Sequence, residues 1–96
     1  MLWDLLATRR VGHYRSHEIR VQKTSLIHRM QYRLVIDGVK QDQLDALAST
    51  FSLYGVIRDG QEPIPVEVVV RQGLFTGDYT CRVGGTRCAL RREKLA

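Results

Sequence analysis

Apolar and polar residues alternate over long stretches of this chain, and glycine pairs break the alternation. Phe51, Leu53 and Ile57, then Ile64, Val66, Val68 and Val70, then Tyr79, Cys81 and Val83, then Cys88 and Leu90 recur at a spacing of two, the period of strands with one buried face. Asp37-Gly38, Asp59-Gly60 and Gly84-Gly85 punctuate these runs, each glycine at the second position standing six residues after Tyr32, Tyr54 or Tyr79. Asp-Gly and Gly-Gly provide the positive φ that two-residue hairpin turns require, so three β-hairpins are predicted.

Each turn fixes which residues face each other. An Asp59-Gly60 turn sets Ile57, Leu53 and Phe51 opposite Glu62, Val66 and Val68, with Gly55 opposite Ile64. A connection over Gln72 to Gly77 sets Val70, Val68 and Val66 opposite Tyr79, Cys81 and Val83, with Arg71 facing Asp78 and Glu67 facing Arg82. The Gly84-Gly85 turn sets Arg82 opposite Arg87 and Cys81 opposite Cys88. Three turns chosen independently agree on one apolar face, which predicts a four-stranded antiparallel meander over residues 49 to 91.

That face needs a cover. His17 to Lys23 and Met30 to Ile36 alternate in the same way and form a hairpin across Thr24 to Arg29. After Asp37-Gly38 the returning strand looks weak, because Gln41 and Gln43 would face Leu34 and Tyr32; a short strand is expected there, giving way to an irregular or briefly helical segment at Asp42 to Ala48. Met1 to Ala7 suits a strand or a helical stripe, and the choice between helix and strand stays open for residues 1–12. The expected fold is all-β: an antiparallel hairpin meander packed as a small two-layer sandwich or flattened barrel, with at most one short helix, in a single domain spanning residues 1–96.

Trp3-Asp4-Leu5, His17-Glu18-Ile19-Arg20-Val21 and Val35-Ile36-Asp37-Gly38 resemble the opening of a Fas apoptotic inhibitory molecule domain, which runs Trp-Asp, His-x-Ile-x-Phe and Val-Asp-Gly through its first strands. The resemblance covers about the first forty residues and implies a β-sandwich. Thr8 to Arg15, basic here, stand where that family has a glycine-containing first turn, and no functional residue is carried over.

Length and charge narrow the partners more than the chemistry. The 96 residues suffice for one hydrophobic core without a metal or disulfide. The chain shows neither a secretory leader nor a membrane span, so the cytoplasm is the expected compartment and no membrane partner is expected. Residues 1–36 hold seven Lys or Arg against Asp4 and Glu18, whereas residues 37–96 hold eight charges of each sign, so the whole surplus of +5 is N-terminal. That asymmetry suits an anionic partner.

Catalytic chemistry is hard to place. Cys81 and Cys88 fall on the core face and are expected reduced. His13 and His17 are expected to share a face, and all three histidines, His28 included, to lie in solvent, with too few ligands for zinc. No Gly-x-Ser-x-Gly turn or phosphate loop is present, and Asp37, Asp59 and Glu67 are accounted for by turns and a cross-strand pair. The expectation is a domain that is not an enzyme and takes no cofactor or metal. Leu74 and Phe75, at the tip of the Gln72 to Gly77 connection, are the candidate contacts for a protein partner or a second copy of the chain. Arg9, Arg10, Arg20, Arg33, Arg82 and Arg87 are the candidate contacts for the alternative, a nucleic acid held without sequence preference by a basic N-terminal hairpin.

Overall fold

The computed structural model describes residues 7–25, 30–46, 50–60, 62–72 and 77–93. They form strands β1 (Ala7–Tyr14), β2 (His17–Ser25), β3 (Met30–Ile36), β4 (Val39–Ala46), β5 (Thr50–Asp59), β6 (Glu62–Gln72), β7 (Gly77–Val83), β8 (Thr86–Cys88) and β9 (Arg91–Arg92). The first sheet has the order β4-β3-β2-β1-β9 and the second β5-β6-β7-β8, each antiparallel throughout. The sheets stack as an open sandwich rather than a closed barrel, and no helix occurs among the described residues.

The core lies between the inner faces. Ile19, Val21, Tyr32, Leu34 and Ile36 from the first sheet meet Leu53, Ile57, Val66, Val68, Val70, Cys81, Val83 and Cys88 from the second, and no charged or polar residue is buried among them. Phe51, Ile64, Tyr79 and Leu90 pack at the margin. The apolar face expected for the meander is therefore the one that forms. Tyr32 anchors the interface: its ring meets Phe51 edge-on at 4.7 Å, and its hydroxyl accepts a hydrogen bond from Gln72 Nε2 at 2.7 Å, the arrangement a buried tyrosine needs.

The β6–β7 and β7–β8 registers are those the turns predict, with Val68 opposite Cys81 and Cys81 opposite Cys88. Gly84 and Gly85 both have positive φ, 57° and 84°, as the tightest hairpin turn demands of both central residues. The β5–β6 register differs from expectation by two residues. Asp59 pairs with Glu62, so Ile57 faces Ile64, Leu53 faces Val68 and Phe51 faces Val70. A slip of two preserves which side chains point inward. It also gives Ile57 an apolar partner in place of Glu62.

In the first sheet one further expectation is corrected and one open choice is decided. Residues 42–46 are neither irregular nor helical; they continue β4. A bulge makes this possible, because the pairing jumps from Val35↔Lys40 to Leu34↔Asp42 and leaves Gln41 as the extra residue, so Leu44 rather than Gln43 faces Tyr32. The basic segment Thr8 to Tyr14 is a full strand paired to β2. Its inward positions hold few large apolar side chains for specific reasons. Arg10 lays its guanidinium on the Tyr79 ring at 4.5 Å. A Cβ at Gly12 would come within 2.4 Å of the Ala89 carbonyl oxygen, where the chain crosses from β8 to β9. Residues 1–6, which include Trp3, lie outside the described residues.

At the opposite side, the edges of β4 and β5 converge. The Tyr54 backbone N–H donates to Asp42 Oδ2 at 2.9 Å, and Gly55 sits against Leu34, Ile36 and Gln41.

Candidate anion-binding groove

A groove of about 600 Å³ lies on the outer face of the second sheet, at the edge where β8 ends and β7 continues alone. Arg71, Arg82 and Arg87 line it together with Arg10, Glu67 and Asp78. The hairpin geometry makes Arg82 and Arg87 direct cross-strand neighbours, and both side chains are exposed. Like charges so placed repel each other. Glu67 faces Arg82 and Asp78 faces Arg71 in register, yet among the described residues no carboxylate reaches ion-pair distance of Arg71, Arg82 or Arg87. Their charge is left available to an anion.

Arg10 belongs to the other sheet and is held in place before any ligand arrives. It stacks on Tyr79 and donates from Nη2 to the Gly77 carbonyl at 3.4 Å. Tyr79 is pushed up to about 12, first by its burial and next by Tyr32, with Arg10 opposing the shift. The phenol is therefore neutral across the physiological range. A second pair of opposed arginines, Arg10 and Arg92, faces each other across β1 and β9.

The six candidate arginines thus divide. Arg10, Arg82 and Arg87 converge on the groove. Arg20 and Arg33 lie on the outer face of the first sheet, opposite Val35 and Gln22, but both are engaged: Arg20 with Glu18 at 3.1 Å and Glu93 at 3.3 Å, Arg33 with Gln31 and Gln43. Arg9 lies on that same face, opposite Gln22. Arg91 belongs to β9 in the first sheet. Leu74 and Phe75 lie outside the described residues.

A second polar site was not foreseen. His17 and His13 do not share a face, because the Arg15-Ser16 turn separates them and pairs Tyr14 with His17 and His13 with Glu18. His13 is exposed, but the His17 side chain is only 18% exposed and sits between two aspartates. Its Nδ1 lies 2.6 Å from Asp37 Oδ2 and its Nε2 lies 3.8 Å from Asp59 Oδ2, while Arg15 Nη1 lies 2.9 Å from the same Asp59 oxygen. Asp37 also accepts the Glu18 backbone N–H at 2.8 Å. The His17 hydrogen bond, then the Glu18 amide, hold the Asp37 carboxyl below its ordinary range. An ionised Asp37 can only accept, so Nδ1 carries the proton. The cluster ties a turn of the first sheet to the end of β5 in the second. His28 lies outside the described residues.

Cys81 and Cys88 are free, buried and opposite each other; Cys88 Sγ donates to the His13 carbonyl at 3.4 Å. Burial, with the neighbouring Cys88, pushes the Cys81 thiol up to about 12. This is a protonated thiol, unsuited to nucleophilic attack. Among the described residues no group of three His, Cys, Asp or Glu side chains is placed to hold a metal, and no helix is long and apolar enough to cross a membrane.

No protein-family model, curated protein or solved structure matches this chain.

Proposed function

We propose that this domain is a non-enzymatic binding module whose arginine groove takes an anionic macromolecule, with the phosphate backbone of a nucleic acid as the ligand. The observation that carries the reading is the opposed Arg82–Arg87 pair, exposed and without a carboxylate partner, in a groove that also gathers Arg10 and Arg71. Guanidinium groups match phosphate oxygens in fork geometry, and a bridging phosphate turns the repulsion between two arginines into attraction to both. The basic contact surface therefore moves from the N-terminal hairpin, where Arg20 and Arg33 are already engaged, to the second sheet.

Fluorescence anisotropy with a labelled oligonucleotide over a salt series tests this reading. Affinity should fall as salt rises, and the Arg82→Gln/Arg87→Gln variant should bind more weakly with a shallower salt slope, by about 1 to 2 for two lost phosphate contacts. Wild-type affinity in that variant would refute the proposal. Polyglutamate is the companion probe: equal or tighter binding to it would assign the groove to an acidic protein instead.

A further inference from the structure

Among the described residues the exposed large hydrophobics are Val39, Leu44 and Tyr54. The two aliphatic ones lie on β4, in the first sheet. Tyr54 is 59% exposed on β5. Isolated exposed apolar residues are ordinary, so the position of Tyr54 matters more than its exposure. Strand pairing joins Tyr54 to Glu67, Glu67 to Arg82 and Arg82 to Arg87. One rung across all four strands of the second sheet thus presents, on a single outer face, an aromatic ring, a carboxylate and two arginines.

The ring is also unoccupied. Tyr14 carries the Arg15 guanidinium, Tyr32 meets Phe51 and Tyr79, and Tyr79 carries Arg10. Among the described aromatic residues only Tyr54 makes no ring or cation contact.

We infer that the ligand is single-stranded and that Tyr54 is the platform on which one of its bases stacks, while Arg82 and Arg87 hold the backbone. This rests on the reading of the groove as a nucleic-acid site and names the class of nucleic acid. Two strand spacings put the Tyr54 and Arg82 backbones about 10 Å apart, within joint reach of the two long side chains and one nucleotide. Glu67 lies between them. Its carboxylate accepts hydrogen bonds and repels phosphate, so it faces an N–H donor on the edge of a base rather than the backbone. In a duplex the bases are already stacked on each other and leave no face for the ring, whereas an unpaired strand offers one at every nucleotide.

The test uses the whole chain with three labelled probes of equal length: an unpaired oligothymidylate, the same strand annealed to its complement, and an abasic phosphodiester strand. Wild-type protein should prefer the unpaired strand to both others. Tyr54→Ala should weaken that binding about 5- to 150-fold, the equivalent of the roughly 1 to 3 kcal/mol a stacked base is worth. Tyr54→Phe, which keeps the ring, should retain it, and the abasic strand should bind alike with and without the ring. Circular dichroism melts of Tyr54→Ala should match wild type, since the side chain supports no core contact. If Tyr54→Ala stays within twofold of wild type while Arg82→Gln/Arg87→Gln loses binding, the inference falls and the groove grips backbone alone. If none of the three probes binds, the functional reading itself falls.

Discussion

Replacing Gly12 with alanine tests the joint on which the sandwich closes. An ideal Cβ there would stand 2.4 Å from the Ala89 carbonyl oxygen and 2.8 Å from Leu90 Cδ2, the first of these 0.6 Å inside the 3.0 Å closest approach of real Cβ atoms. The leucine end can swing away, but the carbonyl is backbone. It is fixed on one side by Cys88, whose thiol donates to His13, and on the other by β9 paired to β1. Overpacking of this kind costs about 1 to 3 kcal/mol, and alanine recovers about 0.5 to 1 kcal/mol over glycine in a strand interior. Because the 2.4 Å clash is with backbone, the upper end of the overpacking range applies and a net loss of about 2 kcal/mol is expected, which lowers the melting temperature of a domain this size by about 8 to 16 °C. Gly55→Ala is the matched control. Its Cβ would meet side-chain carbons of Ile36, Gln41 and Leu34 at 3.0 to 3.1 Å, and two of these are flexible methyl ends that yield a few tenths of an ångström. Urea unfolding of both variants should place Gly55→Ala within about 1 kcal/mol of wild type and Gly12→Ala clearly below it. Cys88 should also react faster with a thiol reagent in Gly12→Ala, because the displaced segment adjoins it. Equal stability of the two variants would refute the argument that the crossing chain rests on Gly12.

Two further predictions follow from protonation. Cys81 ionises in the unfolded chain near its ordinary value of 9.0 but only at about 12 in the fold, so the folded state holds its proton longer and stability should decline between pH 9 and 12; urea midpoints across that window should fall less in Cys81→Ala. Asp37 has the opposite sign. Its folded value is depressed by His17 and the Glu18 amide, so its contribution is present above the ordinary carboxyl range and is lost as pH drops through the folded value. Asp37→Asn should therefore show a shallower acid-induced loss of stability below about pH 4.

What could be read from sequence follows from how much each segment depends on others. In the C-terminal meander each strand is one-sided, so alternation alone identifies Val66, Val68, Val70, Cys81 and Val83 as core. The two-residue slip between β5 and β6 was hidden for the same reason: inward positions stay inward under it, and valine follows valine along β6. The Arg82–Arg87 pair was legible because it depends only on the Gly84-Gly85 turn. β1 was not, since Thr8, Arg10 and Gly12 carry an inward face whose partners, Tyr79 and the Ala89 carbonyl, lie some seventy residues away. A bulge at Gln41 leaves no local mark, and without it β4 reads as mispaired. The convergence of Asp37, Asp59 and Arg15 around His17 required knowing that turns from two sheets share one end of the sandwich.

The meeting of β4 with β5 also bears on how the protein behaves when crowded. An all-antiparallel sandwich presents outer strands whose backbone groups can template the strands of other molecules, and self-propagating stacking is the hazard. Here the side most exposed to it is disarmed from within. The Gln41 bulge breaks the regular hydrogen-bond ladder of β4, and the Asp42 carboxylate occupies the Tyr54 amide in the middle of β5. One aspartate thereby removes a docking point on β5 while adding negative charge to the rim. The chain can expose Tyr54 on its outer surface without offering an incoming strand the backbone amide beneath that ring.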